Sequence, residues 1–101
     1  MQNTDYNVTN NEPQMQFEIE LEEEKALLVY RFHKKDIAFM HTEVPDKFSG
    51  KGIGNALVIA AFSYASEQKK LVMVFCPFVA AFLKRHPDYM VYVDPQYKGL
   101  S

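Results

Sequence analysis

Ser49-Gly50-Lys51-Gly52-Ile53-Gly54 stands between a strand-like segment and an alanine-rich helical one. Glycines at every second position let the backbone approach a ligand closely. They also turn successive N–H groups toward the start of the helix that follows, which is how phosphate or pyrophosphate is held. Two familiar nucleotide motifs do not fit. A dinucleotide fingerprint needs Gly-x-Gly-x-x-Gly, and a P-loop needs Gly-Lys-Ser or Gly-Lys-Thr after four intervening residues. Taken alone, the stretch reads equally as a phosphate cradle or as a tight turn that starts a helix.

Working outward, Ile53, Leu57, Ala61 and Tyr64, joined by Val58, Phe62 and Ala65, recur at helical spacing around most of the circumference. Such a helix is expected to be largely covered, lying against a sheet. Gln68-Lys69-Lys70 closes it, and Leu71 to Phe75 is an apolar run without alternation, the pattern of a strand buried on both faces. On the other side of the glycines, Asp36 to Val44 reads as a strand stopped by Pro45. Strand, helix, strand in that order predicts a right-handed crossover with the two strands parallel. Before them, Met15, Phe17, Ile19 and Leu21 alternate with polar residues, and Ala26 to Phe32 makes a second strand. Turns fall at Glu22-Glu23-Glu24 and His33-Lys34-Lys35. The expected fold is therefore α/β with a mixed sheet, an antiparallel meander followed by a parallel strand-helix-strand unit. Pro77 opens a second, short helix carrying Phe78, Val79, Phe82 and Leu83 and ending in Lys84-Arg85-His86-Pro87, after which Met90 to Val93 suggests a last short strand.

With 101 residues, 48% of them hydrophobic, the chain can build one core. The reading places an unstructured leader over residues 1–13, a single domain over 14–95 and a tail over 96–101. Cys76 is the single cysteine, which rules out an intrachain disulfide framework. No metal-ligand spacing is visible, and the composition suits a reducing cytoplasm. No apolar run approaches the roughly 18 residues that span a bilayer, so no membrane partner is expected. Seven acidic residues (Asp5, Glu12, Glu18, Glu20, Glu22, Glu23, Glu24) and no basic one occupy residues 1–24, whereas eleven basic residues face six acidic ones from Lys25 onward. That basic portion favours an anionic ligand. Its lysines are dispersed and lack aromatic interleaving, which argues against nucleic acid.

The glycine stretch resembles the pyrophosphate loop of the GNAT superfamily of acetyl-CoA-dependent acyltransferases, whose pattern is Arg or Gln, two variable residues, Gly, one variable residue, then Gly or Ala. Gly52 and Gly54 fall on the two small positions. His41-Thr42-Glu43-Val44-Pro45 before the loop, and Cys76-Pro77-Phe78-Val79 and Phe82 to Tyr89 after it, resemble a short stand-alone branch of about 100 residues. The resemblance implies a sheet splayed between its two parallel strands, with coenzyme A in the opening. The pantetheine arm would pair along Thr42 and Val44, and the pyrophosphate would meet the N–H groups of Phe48, Ser49, Gly50, Lys51, Gly52, Ile53 and Gly54. Pro77, Phe78 and Phe82 would also belong to the cofactor-binding residues, and Lys47 and Lys51 could add charge. Acetyl-CoA would be the cofactor, and a small-molecule or protein primary amine the acceptor. The sequence departs from the superfamily in two places. Ser49 stands where Arg or Gln is usual, and Leu83 follows Phe82 where larger members carry a tyrosine acid. The helices that form an acceptor pocket in larger members are also missing.

Those departures direct attention to His41, Glu43 and Cys76 as candidate catalytic residues. Counted by simple alternation, His41 and Glu43 share the face of Ile37 and Phe39 and form an ionisable pair able to take a proton from an ammonium. Cys76, at the end of a buried strand, reads as an acceptor nucleophile, a thiol partner, a proton donor or a small buried hydrophobe. His86 is expected to cap the second helix, and His33 to sit in a turn. Two functions stand open: an N-acetyltransferase acting on a primary amine, or a non-catalytic module that binds coenzyme A. A monomer and a homodimer through an uncovered sheet edge are both compatible with the sequence.

Overall fold

A computed structural model describes residues 6–97, so positions 1–5 of the expected leader and 98–101 of the expected tail lie outside the described residues. Five strands form one sheet: β1 (Thr9–Asn11), β2 (Gln16–Leu21), β3 (Glu24–His33), β4 (Asp36–Glu43) and β5 (Leu71–Val74), in that spatial order. β1 to β4 are antiparallel neighbours, while β5 runs parallel to β4. The crossover between β4 and β5 is α1 (Ile53–Glu67), and α2 (Pro77–Arg85) follows β5. The meander and the parallel unit expected from the patterning are both present. Two-residue turns join β2 to β3 and β3 to β4, and the first residue of each, Glu22 and Lys34, takes a positive φ of 55°.

Both helices lie on the sheet face that carries Phe17, Leu28, Tyr30, Ile37 and Phe39. On α1, Tyr64 meets the rings of Phe17 and Tyr30, each at 5.6 Å, and Phe62 meets Phe39 at 5.2 Å. Phe82 of α2 stacks on Phe62 at 6.3 Å, which joins the two helices into one layer. Each such ring or branched aliphatic contributes about 1.5–3 kcal/mol by leaving water. The buried run Ile53, Ala56, Leu57, Val58, Ala61, Phe62 and Ala65 is why α1 has so narrow a polar side.

Three expectations are corrected. Residues 9–11 of the expected leader form β1 on the sheet edge, followed by a 3-10 turn over Glu12–Gln14. The cause is polar. The Tyr30 hydroxyl, whose pKa is pushed up to about 12 by burial and by neighbouring Tyr64, donates to Asn10 Oδ1 at 2.8 Å. Asn11 Nδ2 donates to Glu18 Oε2 at 2.9 Å, and hydrogen bonds from Gln16 and Asn11 hold the Glu18 carboxyl below its usual range against the opposing effect of burial. Second, the expected strand Met90 to Val93 is mostly a 3-10 turn over Pro87–Tyr92, and only Val93 bridges to Val72. Beyond it, Asp94 N–H donates to the Val72 carbonyl at 2.9 Å. Burial and neighbouring Asp94 push the Asp36 carboxyl up, and Asp94, paired with Asp36 and bonded to Gln96 N–H, is held down.

The third correction bears on chemistry. Tyr30 pairs with Phe39, but the adjacent Val29 pairs with His41, so Met40 is an extra residue in β4. Such a bulge reverses the alternation of every residue after it. Thr42, opposite buried Leu28, therefore joins Ile37 and Phe39 on the helix-covered face, and His41 and Glu43 point to the other face, away from α1 and α2.

Candidate functional site

The sheet opens where β4 and β5 part. Their pairing runs from Asp36 with Leu71 to Phe39 with Val74, and its last bond is Phe75 N–H to the Phe39 carbonyl at 3.1 Å. Past Phe39, β4 has no strand partner on its β5 side among the described residues. A row of peptide groups is left available to an added strand-like ligand. Thr42 Oγ1 and Cys76 Sγ meet across the opening at 3.2 Å. Cys76 is only 1% exposed.

The glycine stretch lies beyond the end of β4. A short 3-10 turn over Asp46–Phe48 leads into it, and Gly50 and Gly52 both take left-handed backbone angles, φ 77° and 81°. A Cβ built on either meets nothing within 4 Å, so these two glycines are needed for backbone shape. Gly54 differs. A Cβ there would come to 2.3 Å from the Phe78 ring, so this glycine lets α1 and α2 pack together. Gly52 is the N-cap of α1 and supplies no capping side chain. The first intrahelical bond is Ala56 N–H to the Gly52 carbonyl, which leaves the N–H groups of Ile53, Gly54 and Asn55 without an acceptor among the described residues.

These groups border a cavity of about 310 Å³ whose lining includes Val44, Phe48, Ser49, Gly50, Gly52, Ile53, Gly54 and Phe78. Eight of the residues singled out from sequence are thus brought together. Thr42 and Pro77 sit beside Cys76, with Pro77 and Cys76 on a second cavity of about 330 Å³ along the outer side of α2. Phe82 is elsewhere, buried in the core against Phe62 and the His86 ring. The Lys51 carbonyl accepts a bond from the Tyr6 hydroxyl at 2.9 Å, and the residue is exposed outside the cavity lining. Lys47 is turned away, paired with Glu22 at 3.6 Å and Glu24 at 3.5 Å. The Ser49 hydroxyl is occupied with the Asp46 carbonyl at 3.0 Å. Two further lining residues, Asn55 and Arg85, were not singled out from sequence. The available signal was helical spacing, since Arg85 follows Phe78 by seven residues and falls on the same side of α2.

On the other face of β4, His41 Nε2 and Glu43 carboxylate oxygen Oε2 are 2.9 Å apart, with side chains 52% and 61% exposed. They form a surface pair, not the partly buried one expected from alternation. Nε2–H donating to Glu43 leaves Nδ1 with its lone pair. His86 N–H bonds the Phe82 carbonyl at 2.9 Å and ends α2, and His33 ends β3. Among the described residues no group of three or more His, Cys, Asp or Glu could hold a metal ion, and no helix is long and apolar enough to cross a membrane.

The donor set fits a phosphate ester. It combines three unbonded helix N–H groups, two open glycines and a guanidinium, next to a parted strand edge that suits an amide-containing arm. Comparison with known proteins agrees with that architecture. Residues 16–94 match the family model described as GCN5-related N-acetyl-transferase. The chain is 30% identical to Protein NATD1 of Xenopus tropicalis over 93 residues, covering 87% of this chain and 85% of that protein. It is 32% identical to Protein NATD1 of Danio rerio over 88 residues, covering 82% and 80%. The solution structure of a GCN5-like protein from Staphylococcus aureus superposes with a TM-score of 0.70 at 26% identity, covering 90% of each chain. On its motifs, its splayed mixed sheet and these matches, the chain belongs to the GCN5-related N-acetyltransferase family.

Proposed function

We propose that the protein binds acetyl-CoA and transfers its acetyl group to a primary amine in the cytoplasm. The observation that carries this reading is the uncapped start of α1 opening, through Gly50 and Gly52, onto a cavity beside the parted edge of β4. Bound acetyl-CoA supplies the activated acyl thioester. The N–H groups of Ile53, Gly54 and Asn55 hold phosphate, aided by the helix dipole. The free edge of β4 from Met40 to Val44 orients the pantetheine arm by backbone bonds, and an N–H near Val44 polarises the acyl carbonyl.

The acceptor approaches from the face opposite α1 and α2, where His41 and Glu43 stand. Glu43 orients the imidazole, and His41 Nδ1 takes the ammonium proton, directly or through one water, so that the neutral amine can attack. Because the His41 and Glu43 side chains are exposed, an amine on a large molecule can reach them as well as a small one. Cys76, buried and bonded to Thr42, serves the departing thiolate as a nearby proton donor.

One observation favours a second reading, a coenzyme A-binding module without turnover. Leu83 is buried at the position where larger family members carry an acid. Release of free thiol from acetyl-CoA, measured across a panel of amines including peptides, separates the two. Amine-dependent release is expected. Saturable coenzyme A binding with no release on any acceptor would establish the module instead.

A further inference from the structure

We infer that Arg85 is the cation that recognises the phosphate of the pantetheine-bearing ligand, replacing the arginine or glutamine that Ser49 lacks. The inference rests on the coenzyme A reading above and adds the residue that selects a phosphorylated ligand over a phosphate-free one. Ser49 cannot serve, because it has no charge and its hydroxyl is bonded to the Asp46 carbonyl within its own turn. The nearby lysines do not substitute for it. Lys47 is held by Glu22 and Glu24, and Lys51 lies outside the cavity lining.

Arg85 comes to the same cavity from the opposite wall. It is the last residue of α2, lies on the helix side that carries Phe78, and lines the space together with Gly50, Gly52 and Asn55. Among the described residues it has no ion-pair partner, whereas Lys25 and Lys47 are each paired with carboxylates. A cation and three unbonded helix N–H groups bordering one cavity from two helices make a two-sided seat for one anion. The planar fork of the guanidinium matches phosphate oxygens in a way an ammonium does not. The phosphate seat is thus shared between two helices, α1 giving backbone donors and α2 giving the charge.

The ligand chemistry is a phosphate ester of pantetheine, found in free coenzyme A and in 4′-phosphopantetheine. Calorimetric titration of the full chain with coenzyme A, 4′-phosphopantetheine and phosphate-free pantetheine tests the inference, using wild type, Arg85→Gln, Arg85→Lys and Arg85→Gln with Ser49→Arg. Arg85→Gln is expected to weaken coenzyme A binding about tenfold, with pantetheine binding and the unliganded Tm unchanged. Arg85→Lys should recover part of the loss, and the added Ser49→Arg most of it. A loss with 4′-phosphopantetheine as large as that with coenzyme A assigns Arg85 to the phosphate next to the pantetheine arm. A loss with coenzyme A alone assigns it to the nucleotide phosphates, and both support recognition of phosphate. Equal coenzyme A affinity in wild type and Arg85→Gln would overturn the inference while leaving the coenzyme A reading intact. An equal loss for pantetheine would overturn it as well, as the mark of a structural role. Failure of the wild type to bind coenzyme A overturns the reading itself, and the inference with it.

Discussion

The two sides of β4 are built by different means. On one side, the glycine turn and the start of α1 offer backbone groups whose direction is set by φ angles and by helix packing. On the other, His41 and Glu43 stand on an open sheet face, and their geometry depends on two solvated side chains 2.9 Å apart. The first site is preorganised, because moving it means moving a helix. The second is held by one solvent-exposed hydrogen bond between His41 and Glu43, worth about 0–1 kcal/mol. Under the proposed function, a seat built from backbone groups would suit a partner of fixed shape, and an exposed side-chain pair a partner of variable shape.

Substitutions can break that contrast, most strongly at Gly54. Gly54→Val should drive a branched side chain into the Phe78 ring, which already lies 2.3 Å from a built Cβ, and cost about 1–3 kcal/mol in chemical unfolding. Adding Phe78→Ala should make the Gly54→Val penalty smaller, and a penalty unchanged in that background would show that the α1–α2 contact is not its cause. Gly52→Ala should cost about 1–2 kcal/mol for a different reason, the left-handed φ of 81°, since its built Cβ touches nothing. The Phe78→Ala background should leave that cost unchanged. The smallest effect on stability is expected on the open side. His41→Gln and Glu43→Gln should each change unfolding free energy by less than about 1 kcal/mol. His41→Gln should nonetheless lower kcat/KM about 100-fold in the amine-dependent release assay. A large stability loss with an unchanged kcat/KM would reverse the proposed division between the two sides.

Much of the fold was legible because its signals are periodic or punctuated. Alternation from Met15 to Leu21, the unalternating run Leu71 to Phe75, and Pro45 before the glycines placed the meander, the parallel strand and the crossover. The misreadings have specific physical causes. β1 is held by side-chain amides on Tyr30 and Glu18, contacts 7 to 20 residues distant that no local pattern displays. The face of His41 and Glu43 was inverted because a single extra residue, Met40, shifts the phase of β4, and a bulge has no composition of its own here. Arg85 was not legible from local pattern because it joins the glycine cavity through the packing of α2 on α1, which depends on Gly54 and Phe78 fitting together. The residues of the glycine turn line one cavity through local backbone geometry, which the spacing of the glycines displays.

The central claim is that the backbone from Val44 to Asn55 is the seat of coenzyme A, and backbone amide NMR during coenzyme A titration tests it most directly. The expected result is saturable shifts concentrated at the amides of Gly50, Gly52, Ile53, Gly54 and Asn55 and along β4 from Met40 to Val44, with His41→Gln leaving the pattern in place. Absence of saturable shifts at these amides, or shifts confined to the outer side of α2 around Pro77 and Lys84, would contradict it.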